Sequence, residues 1–394
     1  MKPNGSNLDA VRRHNLGRIV DLVHRGRSLS RSALTRSTGL NRSTIAALVT
    51  ELAERGLVTE SFASTEGVVG RPSPVVSPSE RTMILAVNPE FDAVTVGAVL
   101  LGGSVHSRMR HRFPSPPSAA ESVAAAAGLI VDLVAGLPRG TQIAGVGVAV
   151  PALVRAEDGV VRLAPRLGWV DEPLAEMLAQ ATGYPVYVDN DASLGARAER
   201  HFGAGRGIDD LIYLNGGASG IGGGLVLGGR PIRGAGGYAG EFGHTFGTEG
   251  GVPLEDAVSR DALVAVAFGP GDPVPDDAAL ERALAESDRV VTAEQARVLG
   301  RALGGMINIA NPSRVVLGGF LGVLAAIEPE LLAETVARYA LGPAEEGVQI
   351  TRSELGEDLL LIGAAELVVD RVIADPARIG EPSEIARVAT AGAK

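Results

Sequence analysis

Val188-Asp189-Asn190-Asp191-Ala192 and, further along, Gly240-Glu241-Phe242-Gly243-His244 place polar side chains where no apolar periodicity accounts for them. Asn190, Asp191, Glu241 and His244, joined by Glu255, stand among glycines and short strand-like runs. Their chemistry suits a hydroxyl-rich small molecule. Pro185-Val-Tyr-Val188 reads as a strand with Asp189-Asn190-Asp191 at its end, which is where open α/β folds bind ligands. An adjacent Asn and Asp donate to and accept from vicinal hydroxyls. The plain alternative is that both only cap the helix expected over 192–201, and this stretch by itself leaves both readings open.

Composition narrows the class. The chain has 394 residues, 45% hydrophobic and 21% charged, enough for a sizeable core and two or three domains. Its 52 glycines and 4% aromatics favour an α/β protein with many tight turns over a helical bundle. With no cysteine, disulfides and thiolate metal sites are excluded. Met1–Ser6 lacks an apolar signal core, and no run of about 18 apolar residues is present. The expected setting is cytoplasmic, with no membrane contact.

Charge is uneven. Residues 1–80 hold eleven Lys and Arg against seven Asp and Glu, whereas the rest holds 25 against 39. A basic front on an acidic body suggests that the front meets a polyanion. The pattern there agrees. A helix is expected over 7–25 from its apolar stripe, ended by Gly26. Ser30 caps a short second helix, Gly39 makes the turn, and Asn41 caps a third helix. In the third, Ile45, Leu48, Val49 and Leu52 fall on one face. Two short helices joined through a glycine turn form a helix-turn-helix. Strands near 57–59 and 75–76 flank a wing ending in Gly70-Arg71-Pro72. Arg31, Ser32, Asn41, Arg42, Ser43 and Thr44 are the expected DNA contacts of the helices, and Arg71 and Pro72 those of the wing in the minor groove. A small helical dimerisation domain is the alternative.

The body continues with strands expected near 82–87, 93–101 and 104–110, a helix near 119–136 with a Ser118–Glu121 capping box, and a strand near 143–150. That order fits an RNase H-like half-domain. Leu167-Gly168-Trp169 precedes a helix expected over 173–182. Asn215-Gly-Gly-Ala-Ser-Gly-Ile-Gly-Gly-Gly224 reads as a glycine hairpin able to offer backbone amides to a phosphate, a weak signal by itself. Helices follow near 254–267, 277–285, 291–310, 328–339 and 358–373, with a strand over 314–317. The expected division is a winged helix over 1–80, lobes over 81–200 and 201–375, and a tail over 376–394, the final helix being free to pack back on the first lobe.

Taken together, Gly70-Arg71-Pro72, Gly147-Val-Ala-Val-Pro151, Leu167-Gly168-Trp169, Asn190-Asp191-Ala192, Ser219-Gly-Ile-Gly-Gly-Gly224, Gly240-Glu-Phe-Gly-His244 and Asn311-Pro312…Gly318-Gly319 make the chain resemble the ROK family of repressors, open reading frames and sugar kinases, specifically its repressor branch. The resemblance runs over about residues 8–373. It implies a winged helix-turn-helix followed by a two-lobed actin-like, RNase H-like sugar-kinase fold. It also implies a homodimer or homotetramer and release from operator DNA on binding a sugar between the lobes. By the same resemblance Asn190, Asp191, Glu241 and His244 contact sugar hydroxyls, and Glu255 takes the place of a later sugar-binding glutamate, after a shortened segment. Asp191 matches the kinase members' catalytic base.

Two departures shape the expectation. Kinase members carry an Asp-x-Gly-x-Thr phosphate loop where this chain reads Asn88-Pro89-Glu90-Phe91-Asp92. A proline removes a donor and Glu90 repels a triphosphate, and phosphoryl transfer depends on positioning and charge stabilisation. Asp191 is therefore expected to be a relict base with no catalytic residue beside it and no cofactor. The family's zinc cysteines are also missing, so no metal is expected. The resulting expectation is a sugar-responsive transcriptional repressor that is not an enzyme. The alternatives are an active sugar kinase carrying a DNA-binding domain and a regulator that no longer binds sugar.

Overall fold

A computed structural model describes residues 5–61, 73–217, 220–245, 250–269 and 276–378. Contacts divide the chain into two units. One holds the residues up to Val150, Glu157–Asp189 and the residues from Ala364 onward; the other holds Pro151–Ala156 and Asn190–Gly363.

The first unit opens with α1 (Gly5–Gly26), β1 (Leu29–Ser30), α2 (Arg31–Thr38), α3 (Arg42–Glu54), β2 (Val58–Ser61) and β3 (Val75–Pro78). The expected caps form. Ser30 Oγ accepts from Ala33 N at 3.1 Å, Asn41 Oδ1 accepts from Thr44 N at 2.8 Å, and Gly39 ends α2 at φ 73°. Ile45, Leu48, Val49 and Leu52 are all buried, each stabilising by roughly 1.5–3 kcal/mol. The three strands pair antiparallel in the order β1-β3-β2, and the expected wing tip, Gly70-Arg71-Pro72, lies outside the described residues. Two-residue β1 is too short to show an alternation and escapes sequence reading.

The same unit continues with β4 (Thr82–Pro89), β5 (Ala93–Leu100), β6 (Val105–Arg112), α4 (Ala119–Ala135) and β7 (Gln142–Val150). After β8 (Leu153–Arg155), which groups with the second unit, come β9 (Val160–Ala164), β10 (Trp169–Glu172), α5 (Leu174–Thr182) and β11 (Val186–Asn190). The five-stranded sheet runs β11-β7-β4-β5-β6, with β4 antiparallel to β5 and parallel to β7. β4 is buried along its whole length, so it reads as a continuous apolar run. The capping box at Ser118 and Glu121 is present. β9 and β10 pair antiparallel, and Trp169 opens β10 and donates from Nε1 to Pro117 O at 2.9 Å.

The second unit holds α6 (Asp191–Phe202), β12 (Leu211–Gly217), β13 (Gly220–Leu227), β14 (Arg230–Pro231), α7 (Leu254–Ala257), α8 (Arg260–Phe268), α9 (Asp277–Ala285) and α10 (Val290–Ala310). Then come β15 (Arg314–Gly319), α11 (Phe320–Ile327), α12 (Pro329–Tyr339), α13 (Gly342–Glu345), β16 (Gln349–Arg352) and the start of α14 (Leu359–Ala374). Its sheet runs β14-β13-β12-β15-β16, with β15 parallel to β12 and β16. Ile212, Leu214, Val315 and Leu317 pack with Leu299, Leu303 and Ile307 of α10 in one core. α11, Phe-Leu-Gly-Val-Leu-Ala-Ala-Ile, is buried on nearly every side, so it has no periodicity to detect. Asn311 ends α10 at φ 44°, a conformation that asparagine tolerates. The units part at Asp189/Asn190 rather than near 200 because α6 lies on β13 and β12.

Candidate functional site: a carboxylate cluster and a recognition helix

The glycine run expected to cradle a phosphate is mostly strand. Asn215, Gly216 and Gly217 pair with Gly222, Ile221 and Gly220, so these residues belong to an antiparallel ladder. The turn residues 218 and 219 lie outside the described residues. What the glycines supply is closeness. A strand alternates its faces, and here both are used. A Cβ at Gly222 meets Ala192 Cβ at 2.8 Å, and one at Gly224 meets Ala196 Cβ at 2.5 Å. On the opposite face, a Cβ at Gly223 meets the Phe242 ring at 2.4 Å. β13 is thus a thin wall between α6 and the Gly240–His244 turn. Across it Asp191, at the start of α6, feels the charge of Glu241.

Asn190 ends β11 and caps α6. Its Oδ1 accepts from Ser193 N at 2.9 Å and its Nδ2 donates to Ala152 O at 3.2 Å. The capping role and the strand-end position therefore coexist. Asp191 Oδ1 accepts from Ala192 N at 2.8 Å. Burial pushes the Asp191 carboxyl up to about 6; the charge of Glu241 adds to the rise and the Ala192 amide opposes it. The Glu241 carboxyl is likewise raised by burial, with His244 opposing and Glu255 adding. His244, 60% exposed, holds Nδ1 3.7 Å from Glu255 Oε1. Glu255 Oε2 accepts from Ile221 N at 3.3 Å. Gly243 is required here because a Cβ would stand 2.1 Å from Ile221 O.

Asp191, Glu241, His244 and Glu255 are thus electrically linked, one to the next. Burial raises two of the three carboxyls, and one imidazole stands beside the third. Such a group accepts hydroxyl protons and donates at one point, the pattern that a polyol requires. A thiolate-held metal has no ligand in a chain without cysteine. Ala152, whose carbonyl orients Asn190, carries no sequence signal because only its backbone acts.

The turn expected to replace the phosphate loop is closed by its own groups. Asn88 Nδ2 donates to Glu90 Oε1 at 3.1 Å and Arg110 Nη1 to the same atom at 2.9 Å. The amide of Glu90 donates to Ala93 O at 2.7 Å. Burial raises the Glu90 carboxyl and Arg110 holds it back. A carboxylate fills this turn and its amide is already bonded, an arrangement that disfavours a second negative charge there.

In the winged helix, Arg42 and Ser43 are exposed and Thr44 half-buried at the start of α3. Asn41 caps α3, also accepting from Ser43 Oγ at 2.8 Å. Arg31, expected to contact DNA, is paired with Glu60 of β2, Nη2 to Oε2 at 2.6 Å. Ser32 Oγ is 2.8 Å from Ser30 Oγ. Arg71 and Pro72 lie outside the described residues.

Known proteins are similar to this chain over most of its length. The xylose repressor of Caldicellulosiruptor bescii is 26% identical over 91% of this chain and 96% of its own length. The glucokinase of Thermotoga maritima is 31% identical over 62% of this chain and 84% of its own. Among solved structures, a ROK family transcriptional regulator described as a homolog of the E. coli MLC protein superposes with TM-score 0.74 at 22% identity, covering 93% of this chain and 97% of that one. A Streptomyces griseus ROK glucokinase, solved with glucose and AMPPNP, gives 0.60 at 26% identity over 72% of this chain and 98% of that one. The ROK family profile matches residues 94–371, and the chain belongs to the ROK family.

Proposed function

We propose that this protein is a carbohydrate-responsive transcriptional repressor whose kinase-like body is catalytically silent. The observation that carries the reading is the closed Asn88–Asp92 turn, found in one chain with a winged helix and the Asp191–Glu241–His244–Glu255 cluster. A body that binds a sugar without presenting it to a phosphate donor is a sensor. Asn190, Asp191, Glu241, His244 and Glu255 hold the sugar. Arg42, Ser43 and Thr44 contact bases, Asn41 orients them, and Arg31, Ser32, Arg71 and Pro72 serve the backbone and the minor groove. The working form is a cytoplasmic homodimer or homotetramer on a palindromic operator, since a two-fold protein matches a two-fold site. Sugar acts through its differential affinity for the DNA-bound and free states.

The test is a band shift on DNA from upstream of the protein's own gene, titrated with D-xylose, D-glucose and their phosphorylated forms without ATP. One of them is expected to weaken the shift. A shift indifferent to the whole panel contradicts the sensing role. The second reading, an active sugar kinase, draws on Asp191, whose carboxyl at about 6 suits a general base. Sugar-dependent ADP release from ATP decides it, and none is expected.

A further inference from the structure

Helix α6 starts at the sugar cluster and carries, two turns later, Glu199, a carboxylate with 0% exposure. Its oxygens are ringed by donors. Oε2 accepts from Ala204 N at 2.7 Å, and Oε1 from Ser353 Oγ at 2.6 Å and from Glu354 N and Leu355 N at 3.1 Å. A buried carboxylate held by several donors is among the strongest polar fastenings in a protein. Gly203 makes room for it, since a Cβ there stands 2.1 Å from Glu199 Oε2.

The loop so fastened leads directly into α14. Leu359–Gly363 group with the second unit and Ala364–Ala374 with the first. At Gly363 the helix lies backbone against backbone on α6, a Cβ there meeting Leu194 O at 2.7 Å. Further along, a Cβ at Gly147 of β7 stands 1.8 Å from Ala364 O, and one at Gly17 of α1 stands 2.1 Å from Ile373 O. Glu366 Oε1 lies 2.7 Å from His24 Nε2 of α1, with both side chains at most 2% exposed. His24 Nδ1 accepts from Gly102 N at 2.9 Å, so its proton sits on Nε2 and is donated to Glu366. α14 is therefore gripped at one end by the helix that bears Asn190 and Asp191, and at the other by the first helix of the DNA-binding domain. Contacts without side-chain padding leave little slack for sliding.

We propose that Glu199 is a positioning residue for regulation. It fastens α14 to the sugar-bearing helix, so that a movement of α6 on binding sugar is carried along α14 into α1. This rests on the sensing role proposed above. The test is Glu199→Gln, whose amide hydrogens face donors where a carboxylate oxygen was. Sugar affinity by calorimetry and DNA affinity without sugar are each expected to stay within about threefold of wild type. The ratio of DNA dissociation constants with and without saturating D-xylose or D-glucose is expected to fall from about tenfold or more to below about threefold. An unchanged ratio overturns the proposal, as does a larger loss of sugar affinity, since Glu199 then acts on the pocket itself.

If wild-type protein ignores every sugar, the sensing role fails and amide hydrogen exchange decides the mechanical link alone. Glu199→Gln is then expected to speed exchange about tenfold in α14 and in α1 between Gly17 and His24. A change confined to residues 203–205 and 353–358 refutes it. Ser353→Ala, which removes a single bond, replaces Glu199→Gln in both measurements if the latter does not fold, with smaller effects expected in the same direction.

Discussion

Two polar turns in this protein have opposite fates. At Asn88–Asp92 the polar groups bond one another: Glu90 takes Asn88 and Arg110, and its amide is already donated. In the Asp191–Glu241–His244–Glu255 cluster burial likewise raises two carboxyls, but among the described residues no Arg or Lys pairs with Asp191 or Glu241 as Arg110 pairs with Glu90. His244 is 3.7 Å from Glu255 and largely exposed. A turn that has satisfied itself gains stability and offers nothing to a ligand. A cluster left without such a partner keeps its acceptors available, as the proposed sugar site requires. The difference teaches that relationship to kinases does not by itself indicate phosphoryl transfer. What matters is which of the ancestral polar positions still has open valences.

The severest way to break this comparison is to remove the open side. Asn190→Ala combined with Glu241→Ala is expected to weaken sugar binding by about 100-fold or more, as two hydrogen bonds to charged or oriented groups are lost, while DNA affinity stays within about threefold. Calorimetry and fluorescence anisotropy read the two quantities. Loss of DNA binding instead contradicts the division of labour.

Next comes the wall that shapes the cluster. Gly243→Ala places a methyl 2.1 Å from Ile221 O, and backbone atoms on both sides must shift. A cost of about 2 kcal/mol is expected, read from the denaturant midpoint, with sugar affinity falling in parallel. Full stability with full affinity denies the thin-wall account of β13.

The charge state of the cluster can be sharpened by pH. Only the ionised Asp191 accepts a hydroxyl proton with both oxygens, and its carboxyl lies at about 6. Binding is therefore strong above that value and weakens as pH falls through it. Sugar affinity is expected to drop at least roughly tenfold between pH 7 and pH 5, the part due to Asp191 alone, with the raised Glu241 adding to it, and Asp191→Asn removes that tenfold part. A flat profile means that Asp191 is not a ligand.

The closed side gives the smallest effect. Arg110→Ala leaves Glu90 with the neutral partners Asn88 and Thr95. Because Arg110 is 41% exposed, solvent screens the pair, and a loss of only about 0.5–1 kcal/mol of stability is expected. Sugar affinity should not change. A changed affinity joins the two turns functionally and ends the contrast.

Much of this was legible in the chain. Caps at Ser30, Asn41 and Ser118 follow from local hydrogen bonding, and the buried face of α3 from 3.6-residue spacing. The polar cluster stood out because nothing in helix or strand periodicity asks for Glu241 or His244. Other features were illegible for physical reasons. β1 and β16 are too short to alternate, and α11 is apolar all round. The Gly220–Gly224 run resembled a phosphate cradle because glycine leaves the same trace whether it frees a backbone amide or admits a neighbour.

The amino-acid sequence by itself determined the local elements, the basic front, the absence of thiolate ligands and the Asn88-Pro89-Glu90 turn, since each depends on residues near one another in the chain. Only the tertiary structure decided that β13 serves as a wall, that Glu90 is neutralised by Arg110 from another strand, and that Glu199 reaches residues 353–355. These depend on which distant backbones meet, and at glycines that meeting is governed by the partner rather than by any side chain.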